Sequence, residues 1–538
     1  MLSSDGSFTS LEEALNLVGT GSFQVMVLLT CGLSNAADAV EILSVGLLGT
    51  AAEAELDLTP HRVGILNSCI FLGMFIGGLF WGCLGDAMGR RMSLLLALTL
   101  NALFGALSAS SHSLASLVAF RMVAGLGVGG SVPIVFSTMS EFCNATSRGK
   151  FMALVASFWM VGSLYSASMG WIMITRVGWR PYVLVASLPA WAAALLTLFF
   201  MPETPRYLAA SGSTLKAAQV LQRMAAFNKR KLPQGFALKP VHHTKEEESQ
   251  FLASSRSGQS ISQRSWTEIK HSWNLLKCLT FEKPLRSYTW PLMVAWIGLC
   301  GGWYCTVLWL PKYFEERGAV GGSIYAETFA VSLANLPGNL ASLYLTDLLG
   351  RRLTTCLCMA GACVCALLFA VAPASGVWPT VAACVFNAVS VGGWNALDTI
   401  SAELYPTTLR TTGFGLLGAT GRISSLVTTY AAGALLAWKL WAPLVLAAGL
   451  LAAGSFAMMM LPEPAGRPLQ DSTSDCSDSS EVGDDRLAHK RVQDVEDAGV
   501  DGSSSTTALL LQQRSTSLSG AGGGRPVGME DNRSRAET

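Results

Sequence analysis

Residues 82–91 read GCLGDAMGRR, and residues 343–352 read LYLTDLLGRR. The two segments carry one Asp, one Gly and a pair of Arg at the same spacing, 261 positions apart. SEFCNATSRG at 140–149 pairs with AELYPTTLRT at 402–411, and each has a Glu seven residues before an Arg. MPE at 201–203 returns as LPE at 461–463, and GWR at 178–180 has a faint partner in AWK at 437–439. Four matches at nearly constant spacing define an internal repeat. The chain therefore reads as two similar halves, 23–201 and 289–461, joined by a linker at 202–288.

The composition says what the halves are made of. Of 538 residues, 51% are hydrophobic and only 14% charged, with a mean hydropathy of +0.42. So little charge cannot cover a soluble core of this size. About 20 apolar residues span the ~30 Å hydrocarbon layer as a helix. Twelve such runs occur, near 23–48, 63–84, 92–111, 115–139, 151–174 and 181–201, then 289–311, 323–346, 353–373, 377–401, 411–437 and 441–461. The expected fold class is all-α: a polytopic membrane protein of twelve transmembrane helices in two pseudo-symmetric six-helix halves. Arg90, Arg91, Arg148, Lys150, Arg351, Arg352 and Arg410 fall in loops on one side. The positive-inside rule then places both termini in the cytoplasm, with 1–22 as a cytoplasmic segment and 462–538 as a disordered cytoplasmic tail. No signal peptide is read at the start; Ser10 and Glu13 instead form a capping box ahead of LEEALNLVG, read as a short interfacial helix. In the linker, KAAQVLQRMAAFNKRK reads as a short basic amphipathic helix.

Several function classes are excluded. A net charge of +1 with no basic–aromatic cluster gives no reason to expect nucleic acid as a partner. No Walker loop, metalloprotease motif or nucleophile elbow is present, so neither catalysis nor ATP-driven transport is expected. Gly125, Gly127 and Gly130 spell G-x-G-x-x-G, but inside an apolar helix with no preceding strand, where small residues serve close helix packing. The thirteen cysteines lie mostly inside apolar runs and read as buried small hydrophobes. No cofactor and no metal are expected.

The charges that remain inside the apolar runs are the candidate site. Each unsatisfied charge at a helix centre costs ~2.5–3.5 kcal/mol on insertion scales. CGLSNAADAVEILSVGLLGT at 31–50 holds Asp38 and Glu41, one turn apart on one face. Such carboxyls can carry a proton between the two sides or bind a cationic substrate. The competing role is an ion pair with Arg121 or Arg422 that only joins helices. For Arg121, in the outer part of helix 4, the joining role is favoured. Arg422 on helix 11 suits a substrate carboxylate and a structural pair equally well. Asp398 on helix 10 reads as a second substrate contact or part of an inner gate. Phe158, Trp159 and Tyr165 on helix 5, and Trp296, Trp303 and Tyr304 on helix 7, suit the walls of a cavity for a flat ring or a cation. Trp309 fits an interfacial anchor instead.

These motifs together resemble the major facilitator superfamily, over residues 23–469. The resemblance rests on the D-x-x-G-R-R loops, R-x-x-x-G-x-G at 121–127, PETPR at 202–206 and PEPAGR at 462–467. GSFQVMVLLTCGLSNAADAVEILSVGLL, WYCTVLWLPKYF at 303–314 and ELYPTTLRTTGFGLLGATGRISS at 403–425 are similar to synaptic-vesicle-protein-like transporters and the related organic ion and niacin transporters. Sugar porters share the PETPR and PEPAGR signatures, but their glutamine pair at the start of helix 7 is absent, replaced by AWIGLCGGWY. The resemblance implies parallel halves with a substrate site between them at mid-depth. It further implies that Asp86, Arg90, Arg91, Glu141, Arg148 and Glu203, with Asp347, Arg351, Arg352, Glu403, Arg410 and Glu463, form a cytoplasmic gate that holds the halves together when the cavity opens outward. The expected function is secondary active, proton-coupled, or facilitative transport of a small organic ion by alternating access. A non-transporting receptor or vesicle component, and a sugar or polyol porter, are the alternatives. The expected partners are the lipid bilayer, a small-molecule substrate and protons, for a monomer in the plasma membrane or an internal vesicle membrane.

Overall fold

The computed structural model describes residues 10–230, a few positions between 232 and 238, and 277–463 apart from 278, 284, 319–321, 373–376 and 406–408. The polar part of the linker and the tail lie outside the described residues. Every regular element among those described is a helix. The first half begins with α1 (Leu11–Val18), α2 (Ser22–Ala51), the short α3 (Glu53–Leu56), α4 (Pro60–Met88), α5 (Arg90–Leu107), α6 (Leu114–Phe142) and α7 (Ala145–Met169). A π turn at Gly170–Ile174 extends α7 into α8 (Thr175–Val177), followed by α9 (Trp179–Ala186) and α10 (Leu188–Phe199). The linker contributes α11 (Pro205–Ala210) and α12 (Thr214–Phe227). The second half holds α13 (Arg286–Val307), α14 (Leu310–Glu316), α15 (Gly322–Leu333), α16 (Asn335–Leu349), α17 (Arg351–Val371), α18 (Trp378–Leu404), α19 (Arg410–Trp438) and α20 (Ala442–Met459).

Among the described residues, ten helical spans are long and apolar enough to cross a membrane. They coincide with ten of the twelve runs read from sequence. The remaining two runs are helical but differ for visible reasons. Residues 322–349 break at Ala334 into α15 and α16, where Pro337 cannot donate a backbone hydrogen bond to the turn before it. The α19 run carries Arg410, Arg422 and several Ser and Thr, which lower its hydropathy.

Local chemistry sets the helix ends. Thr59, Ser113 and Asn144 cap α4, α6 and α7 through side-chain oxygens, and Pro60 opens α4 without needing a donor. In both D-x-x-G-R-R loops one glycine separates two helices: Gly89 has φ 92° and Gly350 has φ 84°, a region that L side chains rarely adopt. The capping box at Ser10 and Glu13 forms as read. The interfacial role does not follow, because Ala14, Leu15 and Val18 of α1 are buried in one cluster with Leu221 and Met224 of α12. Asn228, just after α12, accepts from the Phe23 N–H at 2.9 Å and donates to Gln24 Oε1 at 2.9 Å, tying the linker to the start of α2.

Within the first half, α4 and α6 meet through glycine. A Cβ on Gly73, Gly77, Gly125 or Gly129 would sit inside contact distance of backbone carbonyls on the partner helix. The G-x-G-x-x-G of α6 is therefore a packing surface. The two halves meet away from the Arg-rich loops. Gly46 of α2 packs on the Leu308 backbone, and Gly64 of α4 on that of Tyr430. His61 Nε2 lies 2.9 Å from the Tyr430 hydroxyl, Ser68 Oγ 3.1 Å from Thr429 Oγ1, and Lys312 Nζ 2.7 Å from Glu53. Trp309 is buried beside Gly433 rather than placed at a membrane interface.

Candidate substrate and proton site

Helical spacing puts Asp38 and Glu41 of α2 on one face, and that face is turned into the first half. Asp38 is 0% and Glu41 3% exposed. Glu41 pairs with Arg121 Nη1 of α6 at 2.7 Å, and the same nitrogen donates to Ser44 Oγ at 3.1 Å. Arg121 is itself 0% exposed, so this ion pair is fully desolvated. Asp38 takes a different set. Ser131 Oγ of α6 donates to one carboxylate oxygen at 2.7 Å and Asn101 Nδ2 of α5 to the other at 3.3 Å. Both donors are neutral, and no cation lies within ion-pair distance of Asp38 among the described residues. Arg422, from the other half, acts on it only through longer-range electrostatics. One pair of carboxylates thus has two environments.

The second half contributes rings. Trp303 and Tyr304 of α13 are buried and T-shaped to each other at 4.7 Å. Trp394 of α18 lies edge-on to Trp296, Trp303 and Tyr304 at 5.9, 6.1 and 6.4 Å between ring centroids. Trp303 Nε1 donates to Asn387 Oδ1 and Trp296 Nε1 to Ser401 Oγ, each at 3.0 Å. Tyr304 also meets Phe71 of α4 at 4.7 Å, so the ring cluster touches the first half. Phe158 and Tyr165 of α7 do not join it. Phe158 packs over Gly32 of α2, and the Tyr165 hydroxyl donates to the Val185 carbonyl at 2.9 Å.

Arg422 and Asp398 stand next to this cluster. Arg422 is half-buried on α19 and directed toward α4, where a Cβ on Gly78 would lie 3.8 Å from its Nη1. Asp398 is exposed, one turn along α18 from Trp394. Gly421, next to Arg422 on α19, packs on Cys300 and Trp296 of α13.

At the Arg-rich end each half repeats one arrangement. Glu203 accepts from the backbone N–H groups of Arg90 and Arg91, at the start of α5, at 2.9 and 3.3 Å. Glu463 does the same for Arg351 and Arg352, at 3.0 and 2.9 Å. The carboxylate satisfies unpaired donors and opposes the helix dipole. A Cβ on Gly89 or Gly350 would collide with it, a second reason for glycine there. Arg90 pairs with Glu141 and Arg351 with Glu403, both at 3.2 Å. Arg351 also faces Asp347 at 3.9 Å. Arg91 and Arg352 donate to the carbonyls of Leu198 and Leu461. The resemblance implies a gate that joins the halves; here Arg90 with Glu141, and Arg351 with Glu403 and Asp347, each pair within one half. Nε of Arg148 and Nε and Nη2 of Arg410 are buried without a hydrogen-bond partner among the described residues. The Asp86 side chain lies outside the described residues.

Sequence reasoning missed Asn101, Ser131, Ser44, Trp394 and Asn387. Asn101 carried a signal, as a lone amide in an apolar run; Ser131 and Trp394 sit beside glycines and drew none.

A family model described as "Sugar (and other) transporter" matches residues 23–475, and the chain belongs to that family of major facilitator superfamily transporters. Organic cation/carnitine transporter 7 of Arabidopsis thaliana is 29% identical, the match covering 86% of this chain and 96% of the relative. Synaptic vesicle glycoprotein 2A of Rattus norvegicus is 26% identical over 85% of this chain and 80% of its own. The xylose transporter XylE from E. coli, in an inward open conformation, superposes with a TM-score of 0.64 at 16% identity, covering 83% of this chain and 98% of that one. At that identity the likeness is one of fold.

Proposed function

We propose that this chain is a proton-coupled carrier of a small organic ion, an aromatic or other carboxylic acid or an organic cation. It works by alternating access, with the Arg-rich end and both termini in the cytoplasm. Asp38 is the observation that carries this reading. A fully buried carboxyl held by two neutral donors has no fixed countercharge, so it can exist with or without its proton. Glu41, locked to Arg121, lacks that freedom and positions α2 against α6. Among the described residues the cation that acts on Asp38 from the other half is Arg422, and any rocking of the halves changes their separation. Proton occupancy and conformation are thereby linked. The Arg-rich end serves as the gate: its glutamates hold each loop rigid, and its remaining charges meet across the halves when the opposite end opens.

Uptake into proteoliposomes across a pH gradient tests the coupling. Asp38→Asn is expected to abolish the dependence of uptake on the gradient while leaving exchange at equal pH. Unchanged gradient dependence in a normally folded Asp38→Asn chain sinks the proposal, and a gradient-independent parent chain selects the facilitative form. The synaptic vesicle relatives support a second reading, a vesicle membrane component that transports nothing. The family description supports a third, a sugar or polyol porter. A panel of aromatic acids, organic cations and sugars separates the three.

A further inference from the structure

A small cleft lies between the halves beside Trp303. Leu43 of α2 and Ser163 and Ser166 of α7 line it from the first half, and Trp303, Asn335 and Asn387 from the second. Its volume is about 30 Å³, room for a couple of water molecules and too little for an organic cargo. α7 runs away from the Arg-rich end and α16 toward it, so Met160 and Asn339 each lie one turn below the cleft on the Arg-rich side. There Asn339 Nδ2 donates to Met160 Sδ at 3.1 Å. It is the one hydrogen bond between α7 and α16 among the described residues.

Each partner is fixed within its own half. Gly162, two residues past Met160, packs on the Ala36 carbonyl of α2, where a Cβ would come within 2.2 Å of the oxygen. Gly338, next to Asn339, packs on the Ala388 carbonyl of α18 at the same distance. Asn339 Oδ1 accepts from Asn395 Nδ2 at 3.1 Å, and Asn395 Nδ2 also donates to Ser342 Oγ at 2.7 Å. The Asn339 amide is therefore oriented by its own half and aims its nitrogen across the gap. A thioether is a weak acceptor, so this contact resists the rocking of two rigid halves only slightly. A buried amide N–H left unpaired is costly, and the nitrogen needs another acceptor once Met160 withdraws. Among the described residues no charged side chain lines the cleft, so an ionic group entering it would be desolvated without a partner. The acceptor that fits is an uncharged oxygen, such as an ether or a carbonyl.

We propose that Met160 and Asn339 form the inner door of this cleft, and that on opening Asn339 exchanges the thioether for an uncharged oxygen of the cargo. The oxygen contact rests on the carrier reading above; the door does not. Asn339 then selects cargo by an oxygen remote from its charge.

The door is tested on the full-length chain carrying Ser163→Cys, with a membrane-impermeant maleimide applied from the Arg-rich side of proteoliposomes. Labelled peptides are quantified by mass spectrometry, and the native Cys31, which is fully buried, must stay unlabelled in any folded variant. Met160→Ala is expected to speed labelling about tenfold by removing both acceptor and bulk, and Asn339→Leu about threefold by removing the donor alone. Either variant decides the point if the other labels at Cys31. Labelling as slow as in the parent overturns the door. The oxygen contact is tested by protection of the same cysteine with two matched pairs, 4-methoxybenzoate against 4-ethylbenzoate and their trimethylanilinium counterparts. The methoxy member of the pair that protects should act at about fivefold lower concentration, and that ratio should fall to one in Asn339→Leu. A ratio of one in the parent, a ratio unchanged in Asn339→Leu, or protection by neither pair overturns the oxygen contact. Labelling does not depend on transport, so a failed door leaves the Asp38→Asn gradient experiment standing, and failed uptake leaves the door.

Discussion

At the repeat spacing of 261, Asp38, Glu41, Asn101, Arg121 and Ser131 of the first half correspond to Leu299, Gly302, Ala362, Ala382 and Gly392 of the second. A slip of one residue in either direction brings no charge or amide into any of those places. The halves therefore share their loops and helix ends but not their cores. In the first, buried polarity ties α2 to α5 and α6. In the second, the corresponding space is filled by small residues and rings. Duplicated loops need the same chemistry at both ends of the repeat, since each must stop one helix and start another within a single glycine. The cores face no such constraint, and the difference places the titratable carboxyl in one half and the aromatic cluster in the other.

The contrast breaks most visibly at Arg121. Arg121→Ala strands Glu41 as an uncompensated buried charge, for an expected loss of about 3–5 kcal/mol. Thermal unfolding in detergent measures it, and the double variant Glu41→Gln with Arg121→Gln should recover part of the loss. An Arg121→Ala chain as stable as its parent would erase the distinction between the cores. In the second half, Trp303→Phe keeps a ring but leaves the buried Asn387 oxygen without its donor, for about 1–3 kcal/mol. The same unfolding measurement reads it.

A smaller effect is expected where the halves meet. Lys312 is only 7% exposed and contacts Glu53, Glu315 and Glu316 at 2.7, 3.0 and 3.7 Å, so two of its partners come from its own helix. Glu53→Gln removes the one contact that crosses the halves, for about 1 kcal/mol and a roughly fivefold shift toward the state open at this end. A cysteine at Ser163, in the small cleft between Leu43, Trp303 and Asn335, should then label faster from that side. Equal labelling would remove Glu53 from the closure. Smallest is the acid response of Glu55. Hydrogen bonds from Arg180 and Trp179 hold its carboxyl below the ordinary value of 4.5. Its contribution is present above pH 4.5 and fades as the pH falls below it. Arg180→Ala should therefore narrow its stability gap to the parent chain as unfolding is moved from pH 6 to pH 3.5.

Twelve apolar runs, the repeat and the loop signatures were legible in the sequence, because each is a local pattern: a run of fixed length, or a glycine and a charge at fixed spacing. The pairing of charges was not. Asp38 and Glu41 look alike in NAADAVEIL, three residues apart and each between apolar neighbours. Which of them meets Arg121 depends on the rotation of α2 against α6, a property of how the helices pack and not of the local sequence. The loop glutamates show the same limit. Their charge suggested side-chain ion pairs, yet Glu203 and Glu463 spend their oxygens mainly on backbone N–H groups at helix starts.

By itself, the sequence determined a two-fold repeated bundle of membrane helices and the short roster of charges that such a bundle must justify, since hydrocarbon tolerates neither polar backbone nor stray ions. Only the tertiary structure decided that Glu41 is neutralised by Arg121 and that Asp38 is held by neutral donors. Those distinctions arise from contacts between residues 63 to 93 positions apart, which no local pattern encodes.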